Sequence, residues 1–220
     1  MIQLKNLTKI FYVNGLRTVV ADNLNIIFPT GRSVALLGRN GAGKSTLLRM
    51  IAGTATPTAG EVLSTGTISY PVGFSGSFHR DLTGAQNTRF VARIYGVDTD
   101  ELIDFVQDFA ELGAHFYMPF HTYSSGMRAR LSFGVSMGIP FDTYLVDEVT
   151  SVGDGSFRRK SIEVFTERRR VSGTIVVSHS LPMIRSTCDA GAVLEKGRLH
   201  YYDDIEEAIA HHEANMGGKD

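Results

Sequence analysis

The chain has 220 residues, of which 43% are hydrophobic, so it is long enough to bury one substantial core. Its 22 Lys and Arg residues nearly balance its 23 Asp and Glu residues, and a net charge of −1 gives no overall attraction to nucleic acid or anionic lipid. The single Cys188 cannot form an intrachain disulfide, and no apolar run approaches bilayer length, so a membrane role would require a partner.

The first seventy residues contain strand-like segments with a helix between them. Met1 leads directly into Ile2–Leu7, whose apolar residues alternate as in an edge strand, so we expect no cleaved secretion signal. The single Cys188 favours a cytosolic setting. Pro29-Thr30-Gly31 predicts a turn. The other segments predicted here are strands at Val19–Phe28, Ser33–Leu37, Glu61–Leu63 and Ile68–Tyr70, and a helix at Thr46–Ala52.

The middle of the chain is helical. A capping box at Thr83 predicts a helix towards Tyr95, and a second box at Asp98–Glu101 precedes apolar residues at helical spacing that end near Gly113. A third helix is predicted at Ser125–Met137. Residues 84–138 therefore form a predicted helical insert between two α/β halves.

Strands and helices alternate again after the insert, which predicts a mostly parallel sheet covered on both faces. Glu195-Lys196-Gly197-Arg198 predicts a hairpin turn, and Asp203 opens a last amphipathic helix that frays from Met216. The remaining segments are strands at Phe141–Val146, Thr174–Ser178 and Ala192–Leu194, and helices at Ser156–Val171 and Leu181–Cys188.

The most informative motif is a phosphate-binding P-loop between the Ser33–Leu37 strand and the helix that follows. Glycines let the backbone approach phosphate, and the helix start adds partial positive charge. Lys44 is predicted to reach the β- and γ-phosphates, and the Ser45 hydroxyl to ligate Mg²⁺. The loop comprises Gly38, Arg39, Asn40, Gly41, Ala42, Gly43, Lys44, Ser45 and Thr46.

Two further polar groups follow buried strands. Asp147 and Glu148 end the Phe141–Val146 strand; Asp147 is predicted to hold Mg²⁺ and Glu148 to act as general base on water. A solvated acidic turn is the structural alternative. His179 ends another strand, at the sheet edge where α/β proteins bind ligands, and could bond a γ-phosphate. The alternative there is a histidine without a catalytic role.

A second anion site is predicted at the start of the third helix. The Ser124 hydroxyl, the N–H of Gly126 and the helix dipole together suit an anion, although Ser124 is equally explained as a plain N-cap. His211 and His212 lie on a polar helical end, where no metal site is expected.

The order of these motifs resembles the nucleotide-binding subunits of ABC transporters over nearly the whole chain. The resemblance implies a single ABC ATPase domain (1–220), with a P-loop NTPase (RecA-like) core at 1–83 and 139–220, an antiparallel N-terminal β region, and a helical subdomain at 84–138. It makes Ser124, Ser125, Gly126 and Met127 the signature loop, Asp154 the D-loop acid and His179 the switch histidine. Phe11 or Tyr12 would stack on adenine, and a core role for either ring remains open.

The resemblance also implies the cofactors and partners. ATP and Mg²⁺ would bind between two copies of the chain packed head to tail, each P-loop facing the other copy's signature loop. The homodimer would drive an integral membrane permease, itself in two copies, at the cytoplasmic face of the bacterial inner membrane. Periplasmic and outer-membrane export components would be reached through the permease, and no nucleic acid is expected.

Departures from the common pattern narrow the subfamily. The signature loop has Ser125 in place of a glycine and Met127 in place of a glutamine. The segment Pro71–Thr83 contains no Q-loop glutamine. Ser75, Ser77 or His79 would take the place of that glutamine, or the segment is a loop without a catalytic role. This stretch, continuing to Gly96, resembles capsular polysaccharide exporters, and we expect the permease to contact it. Because the given sequence ends at Asp220, we expect no sugar-binding domain of the kind that some O-antigen relatives carry.

Other functions remain open at this stage. The closest alternatives are O-antigen or teichoic acid export. A soluble ABC ATPase acting on nucleic acid or ribosomes would be expected to carry tandem cassettes and basic insertions, which this chain lacks. A regulatory nucleotide-binding protein without turnover is disfavoured by Glu148 and His179 together.

Overall fold

A computed structural model describes residues 1–13, 15–73, 76, 78–147 and 155–217. Contacts divide these residues into two compact units. The first comprises 1–71, 141–147 and 171–217, and the second comprises 72–140 and 155–170. Among the described residues, no helix is both long and apolar enough to cross a membrane.

Strands dominate the first unit. Its larger sheet has the order β5-β6-β7-β3-β8-β9, parallel except for the antiparallel pair β8–β9, and its smaller sheet has the antiparallel order β2-β1-β4. The strands are β1 (Ile2–Val13), β2 (Leu16–Phe28), β3 (Ser33–Leu37), β4 (Ala59–Ser64), β5 (Ile68–Pro71), β6 (Thr143–Asp147), β7 (Gly173–Val177), β8 (Ala190–Glu195) and β9 (Arg198–Tyr202). The predicted mostly parallel sheet and antiparallel N-terminal region are both confirmed.

The predicted edge strand at Ile2–Leu7 is wrong in its position. β1 is twice as long as predicted and lies between β2 and β4, so it is the central strand of the smaller sheet. Alternation correctly identified its buried side chains, because Ile2, Leu4 and Leu7 pack into the core of the first unit. A half-buried centre strand and an edge strand show the same alternation, so the pattern alone does not separate them.

The helices begin and end close to where the sequence predicts. Those around the larger sheet are α1 (Lys44–Ile51), α6 (Leu181–Thr187) and α7 (Ile205–Gly217). Those of the second unit are α2 (Gly84–Tyr95), α3 (Thr99–Ala110), α4 (Ser125–Gly138) and nearly all of α5 (Gly155–Val171), with short 3-10 helices at Gly113–Tyr117 and Phe120–Thr122.

Side-chain caps fix the starts of the helices in the second unit. Thr83 forms a reciprocal capping box with Gln86, and the Asp98 carboxylate accepts from two first-turn N–H groups of α3. Aromatic rings form the core of this unit. Phe109 stacks on Phe133 at 5.7 Å and makes an edge contact with Phe157 at 5.1 Å, centroid to centroid. The caps and the aromatic core together hold α2 to α5 as one compact unit.

Candidate functional site

The P-loop follows β3 and has a backbone that favours glycine. Gly41 has φ 80°, and a Cβ added there would meet no described atom within 4 Å, so the loop is open on that side. At Gly38 the reason for glycine is packing, because an added Cβ would lie 2.5 Å from the carbonyl oxygen of Leu194. The loop therefore presents exposed backbone above a tightly packed base.

Lys44 and the start of α1 supply positive charge to this loop. The Lys44 Nζ donates to the carbonyl oxygens of Gly38 at 2.7 Å and Arg39 at 3.1 Å, so the ammonium lies over the loop. Gly43 precedes the helix, and no described side chain caps the first turn. An uncapped helix start beside an ammonium fits the phosphates of a nucleotide.

The other predicted groups of this site lie at the same edge of the sheet. β7 pairs in parallel with both β3 and β6, so the carboxyl ends of all three strands share one edge. Asp147 is the last residue of β6, and the exposed His179 follows β7. The structure thus brings the P-loop, Asp147 and His179 to one edge, whereas Glu148 and Asp154 lie outside the described residues.

The oxygen donors at this edge fit a magnesium ion whose remaining ligands are phosphate oxygens and waters. Within the described chain, no three His, Cys, Asp or Glu side chains cluster as a metal site. Ser45 in the first turn of α1 and Asp147 offer one hydroxyl and one carboxylate. Mg²⁺ commonly takes one or two protein oxygens, with phosphate oxygens and waters completing its shell.

The predicted signature loop lies in the second unit at the start of α4. The Ser124 Oγ accepts from the N–H of Met127 at 3.2 Å, as an N-cap, and its hydroxyl hydrogen is left to donate to an anion. Ser124, Ser125 and Gly126 are exposed, and a cavity of about 540 Å³ opens beside them. The plain capping role and an anion site are therefore compatible.

Tyr123 anchors this loop from beneath. Its buried hydroxyl donates to the carbonyl oxygen of His115 at 2.7 Å and lies against Gly84 at the start of α2. Burial raises the pKa of Tyr123 to about 12, although a hydrogen bond from the Gly84 backbone acts in the opposite direction. The hydroxyl therefore stays protonated at neutral pH, and its bond to the His115 carbonyl oxygen helps to fix the predicted signature loop.

The last residues of the stretch that lacks a glutamine, from His79 onwards, are held by a buried amide. The Asn87 side chain accepts from the N–H of His79 at 2.8 Å and donates to carbonyl oxygens of His79, Leu82 and Thr83. His79 itself is exposed, and its Nδ1 accepts from the Asp81 N–H at 3.3 Å. Ser75 and Ser77, the other predicted substitutes, lie outside the described residues.

The two candidate adenine-stacking rings differ in exposure. Tyr12 is 71% exposed, whereas Phe11 is 39% exposed and has the Lys9 ammonium 4.9 Å from its ring centroid. Neither ring belongs to the core of the first unit. A core role is therefore wrong for both, and Tyr12 is the more accessible ring.

The structure adds one element to the P-loop that the sequence did not indicate. A cavity of about 450 Å³ is lined by Gly38–Ala42, by the end of β8 and by His212, Ala214 and Asn215 of α7. The packing of α7 on β8, β3 and β9 brings these residues to the loop. No local pattern around His212 predicts that placement.

Comparisons with known proteins agree with this geometry. Residues 21–151 match a protein-family model described as ABC transporter. The chain is 49% identical to the polysialic acid transport ATP-binding protein KpsT of Escherichia coli, covering 95% of each chain. It is 43% identical to the capsule polysaccharide export ATP-binding protein CtrD of Neisseria meningitidis serogroup B, covering 96% of this chain and 98% of that protein.

The fold is shared with solved structures as well. An ATP-binding subunit of an ABC transporter superposes with a TM-score of 0.80 at 20% identity, covering all of this chain and 95% of that one. The predicted RecA-like α/β fold is therefore confirmed.

Proposed function

Because the chain belongs to the ABC transporter family, we propose that it is the ATP-hydrolysing subunit of an exporter that moves a capsular polysaccharide, a lipid-linked glycan, across the bacterial inner membrane. The proposed cargo rests on one observation, the sequence identity of 49% to a polysialic acid transport subunit and 43% to a capsule polysaccharide export subunit. Both likenesses extend over nearly the whole length of this chain and of the relative.

ATP binds with its phosphates on the P-loop. Lys44 bonds the β- and γ-phosphates, and Glu148 accepts the proton of the attacking water while His179 bonds the γ-phosphate. Ser45 and Asp147 would hold Mg²⁺, which when bound offsets the negative charge of the phosphate oxygens. The proposal is supported by the Lys44 ammonium over the loop and by the shared sheet edge of Asp147 and His179.

Tyr12 is the proposed adenine platform, since stacking needs an accessible face. Tyr12→Ala should raise the Kd for ATP about five- to thirty-fold, because stacking of a base on an aromatic ring contributes about 1–2 kcal/mol. Phe11→Ala is the matched control and should change the Kd less than about two-fold. Equilibrium titration with a fluorescent ATP analogue measures both, and a larger loss in Phe11→Ala would reverse the assignment.

The active assembly is a homodimer in which the signature loop of one copy completes the ATP site of the other. The exposed Ser124 and Gly126 can reach a second chain, and Asp154 would lie at the same interface. The common signature loop has a glycine at the position of Ser125 and a glutamine at the position of Met127. Because this chain lacks that glycine and the glutamine amide, the γ-phosphate contact relies on Ser124 and the helix start.

The membrane subunit docks on the second unit, at residues 73–96 and the surface beside them. Phe90 and Ile94 lie one turn apart on α2 and are 51% and 56% exposed, and Tyr117 and Met118 are exposed in the same unit. Large apolar side chains at a surface commonly mark a binding site for another protein. The assembly would therefore lie at the cytoplasmic face of the inner membrane, held there by its permease.

Gene disruption in the source bacterium tests the function directly. Loss of the chain should remove surface polysaccharide while the polymer accumulates inside the cell, and the wild-type gene should restore export. Lys44→Ala should fail to restore it. Normal surface polysaccharide together with a defect in translation would instead support the soluble ATPase that acts on nucleic acid or ribosomes.

A further inference from the structure

One carboxylate joins three helices of the second unit. Glu111 directly follows α3, and its Oε1 accepts from the Nζ of Lys160 on α5 at 2.9 Å. Its Oε2 lies 3.6 Å from the Nη1 of Arg130 on α4. The Lys160 ammonium also donates to the carbonyl oxygen of Asp108 at 3.0 Å, which adds a second link between α5 and the end of α3. Glu111 therefore ties both α4 and α5 to the end of α3.

Aromatic rings of the core support both cations of this network. The Arg130 guanidinium lies 4.5 Å from the centroid of the Phe157 ring, and the Lys160 ammonium lies 5.4 Å from that of Phe109. A cation is attracted to the face of an aromatic ring, so each ring helps to fix the charge above it. These are the two rings that make the edge contact in the core of the unit. The ion pairs are thus built on the core and do not stand free in solvent.

Glu111 has a backbone conformation that favours glycine. Its φ of 52° and ψ of 43° are left-handed, where a residue that carries a Cβ is strained. Helices commonly end on glycine in this conformation, because glycine has no Cβ to clash. Such strain persists where the surrounding structure holds it, and it is concentrated at functional positions. A glutamate at this point indicates that its carboxylate does more than end the helix.

Both cations lie close to a loop that is predicted to face the second copy. Arg130 is in the second turn of α4, whose N-cap is Ser124 of the predicted signature loop, and it lines the cavity beside that loop. Lys160 is in the second turn of α5, which begins directly after the predicted D-loop acid, Asp154. The carboxylate therefore restrains the two helices at the ends that carry the predicted interface loops.

We propose that Glu111 is a positioning residue of the shared ATP site, which holds the starts of α4 and α5 at a fixed separation so that the signature loop and the D-loop meet the partner copy together. The inference rests on the proposed function, in which two copies share each ATP. Loops that are already in place when the copies meet need less ordering on association, so the dimer is tighter. Glu111 acts through the two helices and makes no contact with the P-loop that binds the nucleotide.

Removal of the Glu111 charge should weaken the dimer and leave nucleotide binding intact. In a Glu148→Gln background, which blocks hydrolysis, Glu111→Gln should raise the dissociation constant of the ATP-bound dimer about three- to ten-fold, because each copy loses one partly exposed ion-pair network. The Kd for ADP should change less than about two-fold, because the P-loop lies in the other unit. Sedimentation equilibrium and calorimetric titration measure the two constants. Asp104→Asn, at an exposed acid of α3 with no ion pair among the described residues, is the matched control and should change neither.

Glu111→Gly separates positioning from stability. Glycine removes the carboxylate but also relieves the left-handed strain, so the thermal unfolding temperature should stay close to that of the parent. A residue that served only the fold would leave the dimer unchanged in this variant, whereas positioning predicts a dimer as weak as in Glu111→Gln. Lys160→Met should weaken the dimer by a smaller factor and add nothing when combined with Glu111→Gln, because both changes break the same link.

The parent variant distinguishes the two levels of the hypothesis. If Glu148→Gln forms a dimer with ATP and the added Glu111→Gln leaves its dissociation constant unchanged, the inference for Glu111 is wrong and the shared site stands. If Glu148→Gln stays monomeric at saturating ATP, the shared site fails and the inference fails with it. Loss of ADP binding or of the fold in both Glu111 variants would assign the residue to stability and overturn the inference. Weaker dimers in both variants, with normal ADP binding and a retained fold, support it.

Discussion

Lys44→Ala is expected to weaken ATP binding about 10- to 100-fold and to reduce hydrolysis below detection. The Lys44 Nζ lies over the P-loop through bonds to the Gly38 and Arg39 carbonyl oxygens, and the proposed function places the phosphates on this loop. A hydrogen bond to a charged group contributes about 1.5–3 kcal/mol, and loss of a preorganised donor in the transition state costs a further ~10²–10³ in rate. Calorimetric titration and phosphate release measure the two effects.

The control for this prediction is another lysine in the same unit. Lys5 forms a surface ion pair with Glu61 at 3.3 Å and lies outside every proposed site, so Lys5→Ala should leave binding and hydrolysis unchanged. Thermal unfolding of both variants checks that the fold is kept. Wild-type ATP affinity in a folded Lys44→Ala protein would contradict the proposed role of the P-loop.

Local chemistry explains most of what the sequence predicted correctly. β3 and β7 are mostly apolar, with one hydroxyl residue each (Ser33 and Thr174). Strands in the middle of a parallel sheet are buried on both faces, and all of their residues are buried. The starts of α2, α3 and α4 follow from Thr83, Asp98 and Ser124, whose oxygens accept first-turn N–H groups. These signals need only a few neighbouring residues.

The remaining features depend on partners that are distant in sequence. β1 was predicted at an edge because its pairing with β4, more than fifty residues away, leaves no mark on its own pattern. The Tyr123 anchor needs Gly84 and His115, which are far apart in the chain. His212 was interpreted as part of a polar helical end, and only the strand order β3–β8 places it at the P-loop. Such features follow from topology, which local patterns do not encode.

Glu148→Gln is expected to separate ATP binding from ATP hydrolysis. Glutamine keeps the size and polarity of the side chain but cannot accept the proton of the attacking water, so turnover should fall about 10²–10⁴-fold. Binding should be retained, because the proposal assigns the phosphates to the P-loop and to Lys44. Glu163→Gln, which changes an exposed acid on α5, is the matched control and should keep full turnover.

The same variant tests whether the ATP site is shared between two copies. If each bound ATP also contacts the other chain's signature loop, blocked hydrolysis should trap a dimer, visible as a doubled mass in light scattering when ATP is present and not when ADP is. Adding Ser124→Ala to Glu148→Gln should weaken that dimer, since it removes the hydroxyl donor while leaving the P-loop intact. A strictly monomeric Glu148→Gln protein at saturating ATP would contradict the shared site, and full turnover in that variant would remove Glu148 from catalysis.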